Sequence, residues 1–80
     1  MSTSTVVVDS LATGVEITAD ALRLILADGR EVTAPLAWFP RLLEATIDQR
    51  NHWRLIGGGV GVHWPSIDED ISVASLLRTS

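Results

Sequence analysis

"ALRLILADGREVTA", residues Ala21 to Ala34, decides how the rest of the chain is read. Leu22, Leu24 and Leu26 alternate with Arg23 and Ile25, and Glu31, Val32, Thr33 and Ala34 alternate again beyond Asp28-Gly29. A period of two on both sides of an Asp-Gly pair predicts a β-hairpin closed by a tight type I′ turn. Pro35 has no N–H to give to a ladder, so the second strand ends there.

Working outward toward the amino terminus, "VEIT" places Val15 and Ile17 on one face and Glu16 and Thr18 on the other, a half-exposed strand. Val6 to Val8 suggest a further strand, while Asp9, Ser10, Thr13 and Gly14 mark irregular chain or a turn. Residues 1–5, "MSTST", are small and polar and are expected to fray, leaving residues 6–80 as one domain.

Toward the carboxyl terminus the period changes. Pro40 suits a first helical turn, and Phe39, Leu42, Leu43, Thr46, Ile47 and Arg50 recur at three- and four-residue spacing. The pattern predicts one helix over about 40–51 that lays a Leu42/Leu43/Ile47 stripe on the leucine face of the hairpin. Two short apolar stretches, Trp53 to Ile56 and Val60 to Trp64, then flank three glycines and read as a second hairpin. "GGGVG" is not read as a phosphate cradle, because such a loop leads into a helix and usually carries a lysine. Pro65 stops the strand, and "SIDE" at Ser66 to Glu69 matches a capping box. Asp70 and Ser72 compete to cap a short last helix, in which Val73, Leu76 and Leu77 form an apolar stripe. The fold class is therefore α+β: a small, mainly antiparallel sheet of two hairpins and an N-terminal strand, one central helix packed on it, and a short C-terminal helix.

Composition bounds the function. Eighty residues with 46% apolar and 20% charged residues suit a folded domain, and one this short has a thin core. It has no cysteine, so disulfides and thiolate zinc sites are excluded and a reducing cytoplasm is the expected setting. No apolar run approaches the roughly twenty residues of a membrane span, and no targeting segment is read. The net charge is −4, and the six arginines, at positions 23, 30, 41, 50, 54 and 78, are scattered. Nucleic-acid affinity is dominated by phosphate neutralisation, so autonomous nucleic-acid binding is not expected.

Several residues invite sharper chemistry. Asp68, Glu69 and Asp70, with His63, could hold a hard cation, but adjacent acids diverge on a regular backbone and lack the alternating spacing of a calcium loop. Negative charge at a helix amino terminus is favourable by about 0.3–1 kcal/mol per group, which assigns Ser66, Glu69, Asp70 and Ser72 to capping. His63 with Ser66 and Asp68 suggests a hydrolase triad, for which so small a body has little pocket volume. His52 and His63 show no zinc-ligand spacing. No metal or other cofactor is expected. Trp38, Trp53 and Trp64 are divided between core and contact surface, and with Arg41 and His63 they are the candidate interaction residues.

The order of these signals resembles the bacterial domain of unknown function family 2442. "LILADGREVTAPL", "WFPRLLEAT" and the tail "W…IGGGVGVHWPSIDEDISVASLL" carry the resemblance, from about Leu22 to Leu77. It implies a small α+β domain without established activity, often partnered by a second small protein encoded beside it in toxin–antitoxin-like or regulatory pairs. Some relatives continue into a helix-turn-helix, which would imply a DNA-binding autoregulator; that role is not expected of this acidic sequence. The resulting expectation is a non-enzymatic protein-interaction module, acting with a small partner protein or as a homo-oligomer. The competing reading is a small metal-dependent or hydrolytic site at His63, Asp68, Glu69 and Asp70.

Overall fold

The structure, a computed structural model, describes residues 10–79, the side chain of Thr79 excepted. The expected frayed residues 1–5 and the expected strand at Val6 to Val8 lie outside the described residues. The elements run β1 (Ala12–Ile17), β2 (Ala21–Leu26), β3 (Glu31–Pro35), a 3-10 turn (Leu36–Trp38), α1 (Pro40–Leu43), α2 (Ile47–Asn51), β4 (Arg54–Ile56), β5 (Gly61–Trp64), β6 (Glu69–Ser72) and α3 (Val73–Thr79). The expected α+β class with antiparallel pairing is present, with the strands divided into two three-stranded sheets, β1-β2-β3 and β4-β5-β6.

The first sheet follows the period-two pattern. Leu22, Leu24 and Leu26 turn inward with Val32 and Ala34, all buried, while Arg23 and Glu31 face out. Arg23 lies between Glu16 and Glu31 and pairs with both. Its guanidinium is held above its ordinary pKa, first by the hydrogen bond to Glu16 and then by the charges of Glu16 and Glu31. Thr13 and Gly14, read as irregular chain, belong to β1, and the irregularity survives as a register shift between Ala12 and Gly14.

The hairpin turn differs from the expected type I′. Gly29 N–H donates to Leu26 O at 3.0 Å and Leu26 N–H to Arg30 O at 2.8 Å, so the loop is three residues long. Within it only Gly29 has positive φ, at 93°. This is the type I turn with a left-handed glycine that three-residue loops favour. Asp28 contributes through its side chain, accepting from the Arg30 amide at 3.1 Å and from Arg30 Nε at 2.7 Å.

The expected helix over 40–51 is interrupted. Thr46 takes an extended conformation and starts α2 with a capping box: its Oγ1 accepts from the Gln49 amide, and Gln49 Oε1 accepts from the Thr46 amide. A residue in that conformation cannot continue the preceding helix, so α1 ends at Leu43. The predicted stripe is lost with it. Leu42 is buried, but Leu43 is 46% and Ile47 75% exposed. Arg50 closes the gap, with Nε donating to Leu42 O at 2.9 Å and Nη2 to Leu43 O at 2.8 Å.

The second sheet contains a third strand, β6, where the sequence predicts a capping box followed by helix caps. Trp64 pairs with Glu69, His63 with Asp70 and Val62 with Ile71, so "SIDE" forms no capping box. Pro65 to Asp68 make the connecting turn, closed by Asp68 at φ 53°, a left-handed conformation that aspartate tolerates better than most residues. Val62, Trp64 and Ile71 face inward and join Val73 and Leu76 of α3 and the leucines of the first sheet in one core.

A backbone contact ties the sheets together: Ala12 N–H of β1 donates to Gly59 O at 2.8 Å, while Val73 N–H donates to Val60 O at 3.0 Å and extends the β5–β6 ladder by one pair. The glycine loop that carries them has positive φ at Gly57, Gly58 and Gly59. At Gly59 the reason is also steric, since a Cβ there would stand 2.6 Å from Ala12 O and 3.0 Å from Ala12 N. At Gly58 a Cβ would meet nothing within 4 Å. Gly59→Ala is therefore expected to destabilise the domain by about 2 kcal/mol or more, against about 1 kcal/mol for Gly58→Ala. Urea unfolding followed by tryptophan fluorescence checks the difference, and equal losses would contradict the close-approach account.

Candidate functional site

The three tryptophans have separate environments. Trp64 is wholly buried, and its indole N–H donates to Arg50 O at 3.0 Å. Trp53 is partly buried against the core. Trp38, at the end of the 3-10 turn, is 51% exposed. Its neighbour Leu36 is buried and anchors that turn, and Phe39 packs partly against the core and leads into α1.

Across from Trp38 and Phe39 run β6 and the first turn of α3. Between them lies a groove of about 420 Å³, lined by Trp38, Phe39, Asp70, Ile71, Ser72, Ser75 and Leu76. Ile71 and Leu76 are buried core residues, so the bottom is apolar, whereas Trp38, Asp70, Ser72 and Ser75 form an exposed rim. Ser72 also caps α3, its Oγ accepting from the Ser75 amide at 3.0 Å and donating to Ser75 Oγ at 2.7 Å.

The backbone of β6 is part of this surface. Since Val73 donates to Val60, and hydrogen-bonded pairs recur at every second residue of an antiparallel ladder, Ile71 and Glu69 direct their amides toward β5. Asp70 accordingly turns its N–H and C=O away from the sheet. Among the described residues β6 is an edge strand, with no strand paired on that side.

The acidic run does not converge. Asp68 sits in the turn, and Glu69 and Asp70 point to opposite faces of β6. Among the described residues no three His, Cys, Asp or Glu side chains gather as metal ligands. Asp70 Oδ1 instead lies 2.5 Å from His63 Nδ1, which donates across the β5–β6 pair, with the Asp70 side chain 66% exposed. Neither Glu69 nor Asp70 starts a helix, which corrects their assignment to capping, and Ser66 lies in the turn rather than at a helical cap. His63 is on Asp70 rather than on Asp68, the partner of the suggested triad. His52 is apart from all of these, with Nδ1 donating to Asp48 O at 2.7 Å. Arg41 reaches the same region, donating from Nη1 to Asp68 O at 2.6 Å and so fixing α1 to the β5–β6 turn.

Of the residues singled out by sequence, the fold thus unites Trp38, Asp70 and Ser72 at one groove, with His63 and Arg41 bracing its border. It withdraws Trp64 into the core. Sequence reasoning missed Phe39, Ile71, Ser75 and Leu76 as groove residues, since apolar and small side chains give no local sign of facing a cleft. A second depression of about 370 Å³, lined by Ile17, Thr18, Ala19, Ile47, Arg50 and Asn51, has one charged side chain, and that guanidinium is already bound to two carbonyls.

The chain belongs to the family described as protein of unknown function (DUF2442), which matches residues 12–80. It is also similar in fold to a crystal structure of a protein of unknown function from Rhodospirillum rubrum ATCC 11170, with a TM-score of 0.73 and 24% identity over 86% of each chain. No curated protein matches it. No helix among the described residues is long and apolar enough to cross a membrane.

Because Asp68, Glu69 and Asp70 diverge, millimolar Mg²⁺, Ca²⁺ or Zn²⁺ is expected to leave the Tm of the domain within about 1 °C of its metal-free value. Differential scanning fluorimetry checks this, and a saturable rise of several degrees would contradict the geometry.

Proposed function

We propose that this DUF2442 domain is a non-enzymatic protein-interaction module whose contact surface is the groove between Trp38 and β6. The carrying observation is the combination at one place of a half-exposed indole, an apolar bottom and the open edge of a sheet. Tryptophan concentrates where partners bind because it offers a large rigid face with little side-chain entropy to lose. An edge strand offers main-chain hydrogen bonds to an added chain.

The partner is a second small protein, with the domain as the antitoxin-like or regulatory member of the pair, or else a second copy of the domain itself. Catalysis is the poorer fit. His63 and Asp70 pair with each other, and Ser66 and Asp68 stand in a turn that Arg41 fastens from outside. A thin core also gains from such a contact, since binding to the folded state alone stabilises it by mass action.

Site-specific photo-crosslinking tests the proposal. A benzoylphenylalanine at position 38 is expected to give one defined adduct in lysate of the source cells, whereas position 33, exposed on β3, gives none. Added unmodified domain should compete, and Trp38→Ala domain should not. No adduct at position 38, or equal labelling at both positions, together with a solitary monomer on gel filtration, would overturn it.

A further inference from the structure

We infer that the groove receives an extended segment of the partner chain, laid along β6, whose arginine or lysine side chain stacks on Trp38 and pairs with Asp70. The inference rests on the interaction reading above and adds the chemistry of the occupant. Its first support is the backbone. The N–H and C=O of Asp70 face away from β5, and among the described residues neither has a backbone partner. An extended peptide satisfies both, as in other cases where a strand is added to a sheet edge.

The second support is charge. No basic residue lines the groove, its single ionised side chain is the exposed carboxylate of Asp70, and the domain as a whole carries −4. Oδ1 of Asp70 is engaged by His63, while Oδ2 has no partner among the described residues. A guanidinium or ammonium can therefore take Oδ2 without displacing the existing bond. The third support is the indole. Trp38 and Asp70 line the same groove, and a cation placed there meets both the negative face of the ring and the carboxylate. Arginine suits this best, because its planar head stacks and donates at once. An anionic guest would meet the Asp70 carboxylate while Arg41, at the border, is held on Asp68 O, and a purely apolar one would leave Oδ2 and the rim serines to water.

The test is a titration of ¹⁵N-labelled domain, followed by its amide and indole signals, with the peptide acetyl-Val-Thr-Arg-Val-Thr-amide and with its Arg→Glu counterpart. The arginine peptide is expected to shift the Trp38 Nε1–H and Asp70 amide signals saturably. The glutamate peptide should bind about tenfold or more weakly, and Asp70→Asn should weaken the arginine peptide about fivefold or more. Thr33→Ala should change neither. A thermal melt of Asp70→Asn establishes that it folds, and Trp38→Ala provides a second variant that leaves the His63–Asp70 pair intact. Equal binding of the two peptides, shifts centred elsewhere, or no saturable shift at millimolar peptide would overturn the inference. If position 38 still crosslinks a partner in any of those cases, only the basic segment is refuted and the interaction reading stands. Loss of the crosslink refutes that reading itself.

Discussion

The hydrogen bond from the Trp64 indole to the carbonyl of Arg50 is the contact on which the rest of the architecture depends. Burying an indole removes roughly 150–250 Å² from water, which at about 25 cal/mol per Å² contributes roughly 4–6 kcal/mol, a large share of the stability of so small a domain. That gain is available only if the indole N–H has an acceptor, since an unpaired buried donor costs about 1–3 kcal/mol. Arg50 O supplies one, and the Arg50 side chain turns back to close the end of α1 on Leu42 O and Leu43 O. One residue thereby fixes the second sheet, α2 and α1 relative to one another. Because α1 begins directly after Phe39, its position also sets where Trp38 stands against β6.

The site follows from this division of labour between tryptophans. Trp64 fills the centre and leaves Trp38 unneeded for packing, while the 3-10 turn, held by buried Leu36, presents Trp38 to solvent. On the other side, β6 is placed by Ile71 opposite Val62, and α3 closes over the core through Val73 and Leu76. The groove is the seam where these two arrangements meet. Its open edge is short, and Asp70 gives it charge, two features by which a monomeric protein keeps a sheet edge from pairing indiscriminately. On the interaction reading proposed above, the same features favour one partner over others.

Much of this was legible in the sequence where the determinants are local. Alternation on either side of Asp28-Gly29 gives the first hairpin, and three successive glycines give the second, because positive φ is a property of single residues. The misreadings of helix extent share one cause. Thr46-Ile47-Asp48-Gln49 and Ser66-Ile67-Asp68-Glu69 carry the same capping signature, yet the first forms a capping box and the second a turn into a strand. What separates them is distant in the chain. Ile71 must enter the core beside Val62, which is possible only if Glu69 to Ser72 are extended, whereas among the described residues no strand pairs with those after Thr46. The interruption between α1 and α2 was hidden for the related reason that a helical period can run on across a cap. Of the site, Trp38, Asp70 and Ser72 were visible as conspicuous residues, but their meeting at one groove depends on β6 and so could not be read locally.

The central claim is that Trp64 is locked into the interior by its bond to Arg50 while Trp38 stands free at the groove. Hydrogen exchange of the three indole N–H groups, followed by ¹⁵N-resolved NMR at constant pH and temperature, tests it most directly. The account predicts that Trp64 exchanges only on global unfolding, at least about a thousandfold more slowly than Trp38. Exchange of the Trp64 indole at a rate comparable to that of Trp38 would contradict it.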